Sequence, residues 1–224
     1  MAIVSALTVV NVLSNRVIPQ WLYVPFAVSV SVGLIAFAMH FDGRSWGDLG
    51  FRRTTLRRGL KWGGILAGGM AAIYLVGLAL PFTRDLFRDD RVLNMSFGDA
   101  LYAAFVRVPF GTVLLEEVAF RAVLPAMLVI RIGPWKSIGL SAALFGLWHV
   151  LPSLGLETVN PVAEETVGQL PAWVTVAGSV LSTAVVGVWF SFLRERTDSV
   201  ITPMIAHWSS NSLAYLFAFA VINA

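Results

Sequence analysis

The chain has 224 residues, 57% of them hydrophobic and only 13% charged, with a mean hydropathy of +0.76. Soluble domains carry about 25% charged residues, so this composition excludes a water-soluble protein and marks an integral membrane one. The net charge of +3 does not indicate nucleic acid, since the basic residues gather in loops between apolar runs, and the absence of cysteine excludes disulfides, a thiol nucleophile and thiolate metal sites.

Crossing a bilayer takes about 20 residues at about 1.5 Å of rise each. Residues 1–13 are too few to cross comfortably. No basic residue precedes this apolar run and no small-residue cleavage site follows it, so a removable signal peptide is not expected. It reads as a short helix lying in the interface or packed beside the first span. Spans are predicted over residues 21–40, 59–80, 137–151, 174–193 and 200–222. Residues 97–130 are too long for one straight crossing, and a break is predicted at Val108-Pro109-Phe110-Gly111, where proline removes a helix hydrogen bond. The expected fold is all-α, a polytopic transmembrane helical bundle of about six to eight helices forming a single integral membrane domain over residues 1–224.

The loops set an orientation. Arg44, Arg52, Arg53, Arg57, Arg58, Lys61, Arg131, Lys136, Arg194 and Arg196 fall on one side if the spans alternate. The opposite loops hold Arg84, Arg88 and Arg91, and an acidic stretch over 152–171 carries Glu157, Glu164 and Glu165. Ten basic residues against three assign the basic side to the cytoplasm. Trp46, Trp62, Trp135, Trp148, Trp173 and Trp189 lie near predicted span ends and read as interface anchors, whereas Trp208, beside His207, is a candidate wall of a site.

Five ionisable side chains interrupt the apolar runs: Glu116, Glu117, Arg121, His149 and His207. A charge at the bilayer centre costs about 2.5–3.5 kcal/mol on insertion scales, so such groups face a protein interior and usually act there. Glu117 and Arg121 are four apart and share a helix face, as an ion pair requires. Glu116 is rotated by about 100° from that face, which leaves it as the candidate general base. Phe145 and His149 are one turn apart on a helix thinned by Gly139, Ser141, Ala142, Ala143 and Gly146, residues small enough for close packing. His207 and Asn211 project from one face, where they form either a donor pair for an oxyanion or two ligands for a cation. There is no H-E-x-x-H zinc motif and no G-x-S-x-G elbow.

Glu116-Glu117-x-x-x-Arg121, Phe145-x-x-x-His149 and His207-x-x-x-Asn211, in this order and each in an apolar helix, resemble the signature of the CPBP family of CAAX prenyl endopeptidases and bacteriocin-processing (Abi) proteins. The resemblance covers residues 113–213, and the acidic stretch 152–171 does not match the family pattern. It implies a glutamate-dependent intramembrane endopeptidase in which Glu116 with His149 activates water, His207 and Asn211 hold the oxyanion, and Glu117 and Arg121 form a supporting pair. The family has also been described as metal-dependent, so a divalent ion such as zinc held by Glu116, His149 and His207 stays open. The expected partners are the lipid bilayer and a membrane protein or peptide substrate, with no nucleic acid, and the expected location is a bacterial plasma membrane. The alternatives are a non-catalytic membrane protein that binds a partner, a bacteriocin self-immunity protein, and a transporter with a proton relay; paired Gly/Pro breaks in two matching halves, which a transporter would show, are missing.

Overall fold

The computed structural model describes residues 2–154, 165 and 168–223. Over these residues the protein is all-α, with no strand. The long helices are α1 (Ala2–Val12, prolonged by a wider turn to Val17), α2 (Gln20–Phe41), α3 (Leu56–Ala79), α4 (residues 97–132), α5 (Pro134–Trp148), α6 (Ala172–Thr197) and α7 (Ile201–Ile222). α2, α3, α6 and α7 are long and apolar enough to cross a membrane. Most of the acidic stretch 152–171, including Glu157 and Glu164, lies outside the described residues.

α4 corrects the expected break. The helix runs through Pro109 without interruption by widening over Ala103–Val113, where the Leu114 N–H bonds to the Pro109 carbonyl five residues back. Proline has no N–H and its ring crowds the preceding turn, so a wider turn takes up the misfit. A second wide stretch covers Val118–Val123. Glu116 and Glu117 therefore sit on a short regular segment, Leu114–Glu117, framed by two irregular ones.

Leu7 of α1 joins the core cluster that includes Ala27, Leu34 and Ala38 of α2, and Asn11 Nδ2 donates to the Trp148 carbonyl at 2.9 Å, which also docks α1 on the end of α5.

Small residues bring the other helices together, as packing in lipid requires. On α3, Gly59 faces Ser199 and Ile201, and Gly63 faces Ile205 of α7. Between α5 and α6, a Cβ placed on Gly146 would lie 2.5 Å from the Val180 carbonyl oxygen and 2.9 Å from the Ala184 Cβ. Gly146→Val must push these helices apart, and overpacking of this kind costs about 1–3 kcal/mol. Thermal unfolding in detergent is expected to register that loss, whereas Gly139→Ala, which meets no neighbour, leaves the midpoint in place.

The three basic loops converge at one end of the bundle. Thr55 Oγ1 donates to the Asp198 carbonyl at 2.8 Å, the Val200 N–H to Gly50 O at 3.0 Å, and Arg194 Nη2 to Asp48 O at 2.6 Å. Arg131 Nη2 pairs with Asp42 Oδ1 at 2.6 Å. Gly50 makes the close approach with φ of +79°, a conformation that a side chain would strain. Alternation of the spans, read first from charge, is thus visible as contact.

Trp46, in the turn after α2, and Trp62, Trp135, Trp173 and Trp189, on helices, are all exposed, as interface anchors must be. Trp148 is not one of them. It is only 8% exposed and turns inward to the site.

Candidate active site

α4, α5, α6 and α7 wall a cavity of about 580 Å³, and Glu116, Phe145, His149, His207 and Asn211 all line it. Residues from three separate motifs therefore share one chamber.

Glu116 is 6% exposed and Glu117 fully buried. Trp148 Nε1 donates to Glu116 Oε1 at 3.1 Å, which fixes the carboxylate. Its other oxygen, Oε2, has no hydrogen-bond partner and lies 3.8 Å from His207 Nε2. A buried carboxylate oxygen without a partner is costly, and at a cavity wall it is a place for water.

Glu117 faces the other way. Its Oε1 lies 3.3 Å from Arg121 Nη1 and accepts a 2.9 Å hydrogen bond from His207 Nδ1. The Arg121 guanidinium lies 3.8 Å from the Phe145 ring centroid and 5.2 Å from that of Phe190. Desolvated cation–π contacts of this type contribute about 2 kcal/mol. Glu117 thus links Arg121 to His207. Spacing alone indicated the first contact and was silent on the second, which joins residues 90 apart in sequence.

The two histidines are set differently. His149 Nδ1 is 2.8 Å from the Phe145 carbonyl, which only accepts, so Nδ1 carries the proton and Nε2 is left as an acceptor in the neutral ring. In His207, Nδ1 donates to Glu117 and Nε2 is turned toward Glu116. With Nδ1 donating to Glu117, Nε2 bears a hydrogen, and is a donor, only when both ring nitrogens are protonated. Asn211 is partly exposed in the cavity; Ser210 Oγ meets its Oδ1 at 3.4 Å, and its amide N–H groups have no protein partner among the described residues.

Two lining residues carry only a weak signal in the sequence. Trp148 has the position of an interface anchor yet lines the cavity. Arg107 is a lone cation in an apolar run; its Nε is buried without a hydrogen bond, and its guanidinium stands 5.8 Å from the Tyr23 ring centroid. Trp208 corrects in the opposite direction. It does not line the cavity but donates to the Ala104 carbonyl at 2.8 Å, stapling α7 to α4.

Among the described residues no three His, Asp or Glu side chains gather closely enough to hold a metal ion. His207 Nδ1 is held by Glu117 and His149 Nδ1 by a carbonyl, which leaves Glu116 Oε2 and the two Nε2 atoms as the groups that would have to hold a divalent ion.

A sequence model of the type II CAAX prenyl endopeptidase Rce1-like family matches residues 98–213, just over half of the chain. The chain belongs to this family. The match contains all three motifs and begins near the start of α4, so the Rce1-like region carries most of the cavity wall, while α1 to α3 lie outside it and add Ser14, Asn15 and Tyr23 to the lining. No curated protein and no solved structure matches the chain significantly.

Proposed function

We propose that this Rce1-like protein is an intramembrane endopeptidase that hydrolyses a peptide bond of a membrane protein or membrane-delivered peptide, in the plasma membrane of a bacterial cell. One observation carries the reading: Glu116, His149, His207 and Asn211, from three helices, line a single cavity inside a membrane bundle.

Water occupies the space in front of Glu116 Oε2 and is oriented by a hydrogen bond to His149 Nε2. Glu116 takes one proton as the water oxygen attacks the scissile carbonyl carbon. Negative charge then develops on the carbonyl oxygen, where the Nε2–H of His207 and an amide N–H of Asn211 stabilise it. Collapse of the tetrahedral intermediate breaks the C–N bond, and Glu116 returns its proton to the leaving nitrogen. Glu117 holds His207 in orientation and balances its charge, and Arg121 fixes Glu117. The proton delivered to the leaving nitrogen is the one Glu116 took from water, and the other hydrogen of the water stays with the new carboxyl group.

The test is cleavage of a peptide library by the purified protein in detergent, with products read by mass spectrometry. New termini that disappear with Asn211→Ala, at a loss of about 10²–10³-fold in rate, support the reading. Retention of peptides without any product identifies a binding protein instead.

A further inference from the structure

We propose that a hollow at the basic-loop end of the bundle binds the zwitterionic headgroup of a phosphoethanolamine lipid. The hollow contains none of the candidate active-site residues, and the inference does not depend on peptidase activity.

The hollow measures about 240 Å³ and is shared by the three loops that meet at this end. Arg44, Asp48 and Arg52 come from the loop between α2 and α3. Arg194, Glu195 and Asp198 come from the end of α6 and the turn after it. Three cations and three anions thus line one small space, and their charges cancel. A headgroup of single negative charge would meet as much repulsion as attraction there. One that carries a phosphodiester and an ammonium side by side matches both signs.

The charged groups are not all used up by one another. Arg52 is 55% exposed, and its Nε stands 3.6 Å from Asp198 Oδ2, beyond hydrogen-bond distance. Its two terminal nitrogens have no partner among the described residues. Arg194 gives Nη1 to Glu195 Oε1 and Nη2 to the Asp48 carbonyl, both at 2.6 Å, while its Nε is buried without a partner. Spare guanidinium donors suit the oxygens of a phosphodiester. On the acidic side, the Ser45 N–H and hydroxyl both donate to Asp48 Oδ2 at 2.8 Å and hold that carboxyl below its ordinary value. Asp48 therefore stays ionised, and the half-exposed Asp198 and Glu195 are open to a cation. A primary ammonium brings three N–H donors to such carboxylates, whereas the trimethylammonium of choline brings none. That difference selects ethanolamine.

The surroundings fix the source of the phosphate. Trp46 lies in the same turn as Asp48, and Trp135 lies in the first turn of α5; both are exposed. Exposed indoles favour the headgroup level of a bilayer, which sets the depth of the hollow between them. Its remaining wall is apolar, built from Pro125 and Val129 of α4 and Ile138 of α5. A soluble phosphate would use the charged half alone. A lipid uses both halves, headgroup on one wall and the start of its chains on the other.

Native mass spectrometry of the full chain, delipidated in detergent, tests the proposal. Phosphatidylethanolamine is expected to bind about tenfold more tightly than phosphatidylcholine or phosphatidylglycerol, as one charged hydrogen bond implies. Arg52→Gln and Glu195→Gln, both at exposed positions, are each expected to erase that preference and to leave the unfolding midpoint of the lipid-free protein in place. Equal binding of the three lipids, or a preference for phosphatidylglycerol, overturns the proposal, and this comparison needs neither variant. A preference that survives either substitution in a folded protein also overturns it, because the lipid then sits elsewhere. Glycerophosphoethanolamine, which lacks the chains, and inorganic phosphate are expected to bind far more weakly. Binding of either as tight as that of the whole lipid makes the hollow a site for soluble phosphate and overturns the lipid assignment.

Discussion

Glu116→Gln is expected to lower kcat/KM by at least about 10²–10⁴-fold, the range for loss of a general base. The carboxamide has the same shape, and its oxygen still accepts the Trp148 Nε1–H that holds Glu116 Oε1 at 3.1 Å. What it cannot do is take a proton from water at the position of Oε2. Thermal unfolding in detergent should therefore stay unchanged while peptide cleavage stops. Full cleavage by this variant would remove Glu116 from the mechanism. A parallel loss of unfolding midpoint would show that the substitution had damaged the fold, and Glu116→Asp, which retains the acid but withdraws it by one methylene, would then separate the two effects.

Glu117→Ala is expected to act on stability first. Arg121 is 1% exposed and has Glu117 as its ion-pair partner at 3.3 Å, so removing the carboxylate leaves a buried, uncompensated cation. Breaking a buried pair in this way costs about 3–5 kcal/mol. The double variant Glu117→Leu/Arg121→Met removes both charges together and should recover most of that loss. Its activity should not recover, because His207 Nδ1 no longer has the acceptor that orients the ring. A double-mutant cycle on the unfolding free energy, run beside a cycle on cleavage rate, separates the two roles. If the rate returns with the stability, Glu117 serves the fold alone.

The bundle and its polar residues were legible because they follow from local rules. Long apolar runs specify helices in lipid, and spacing of four placed Glu117 beside Arg121 and His207 above Asn211. The less legible features depend on contacts between distant segments. Trp148 has the usual position of an interface anchor, at the end of a short helix. It turns inward because α1, judged too short to cross, folds onto that end through Asn11. The hydrogen bond from His207 to Glu117 spans 90 residues and leaves no periodic trace. Pro109 predicts a break because proline usually ends a hydrogen-bond ladder, yet the wide turn of Ala103–Val113 lets the ladder skip past it. The three motifs still meet, because each arrives on its own helix and needs only the right pairings of α4, α5 and α7.

The asymmetry between the two ends of the molecule governs how it can breathe. Hydrogen bonds and ion pairs gather Gly50, Thr55, Asp198 and Val200 into a knot at one pole, so helices that splay must pivot there. Displacement in such a motion grows with distance from the pivot. In such a motion Tyr215 and Arg91 at the opposite pole would move furthest and His207, about two turns from the knot, least. The mouth of the cavity would therefore be the part free to change shape, and the reacting groups the part held in register.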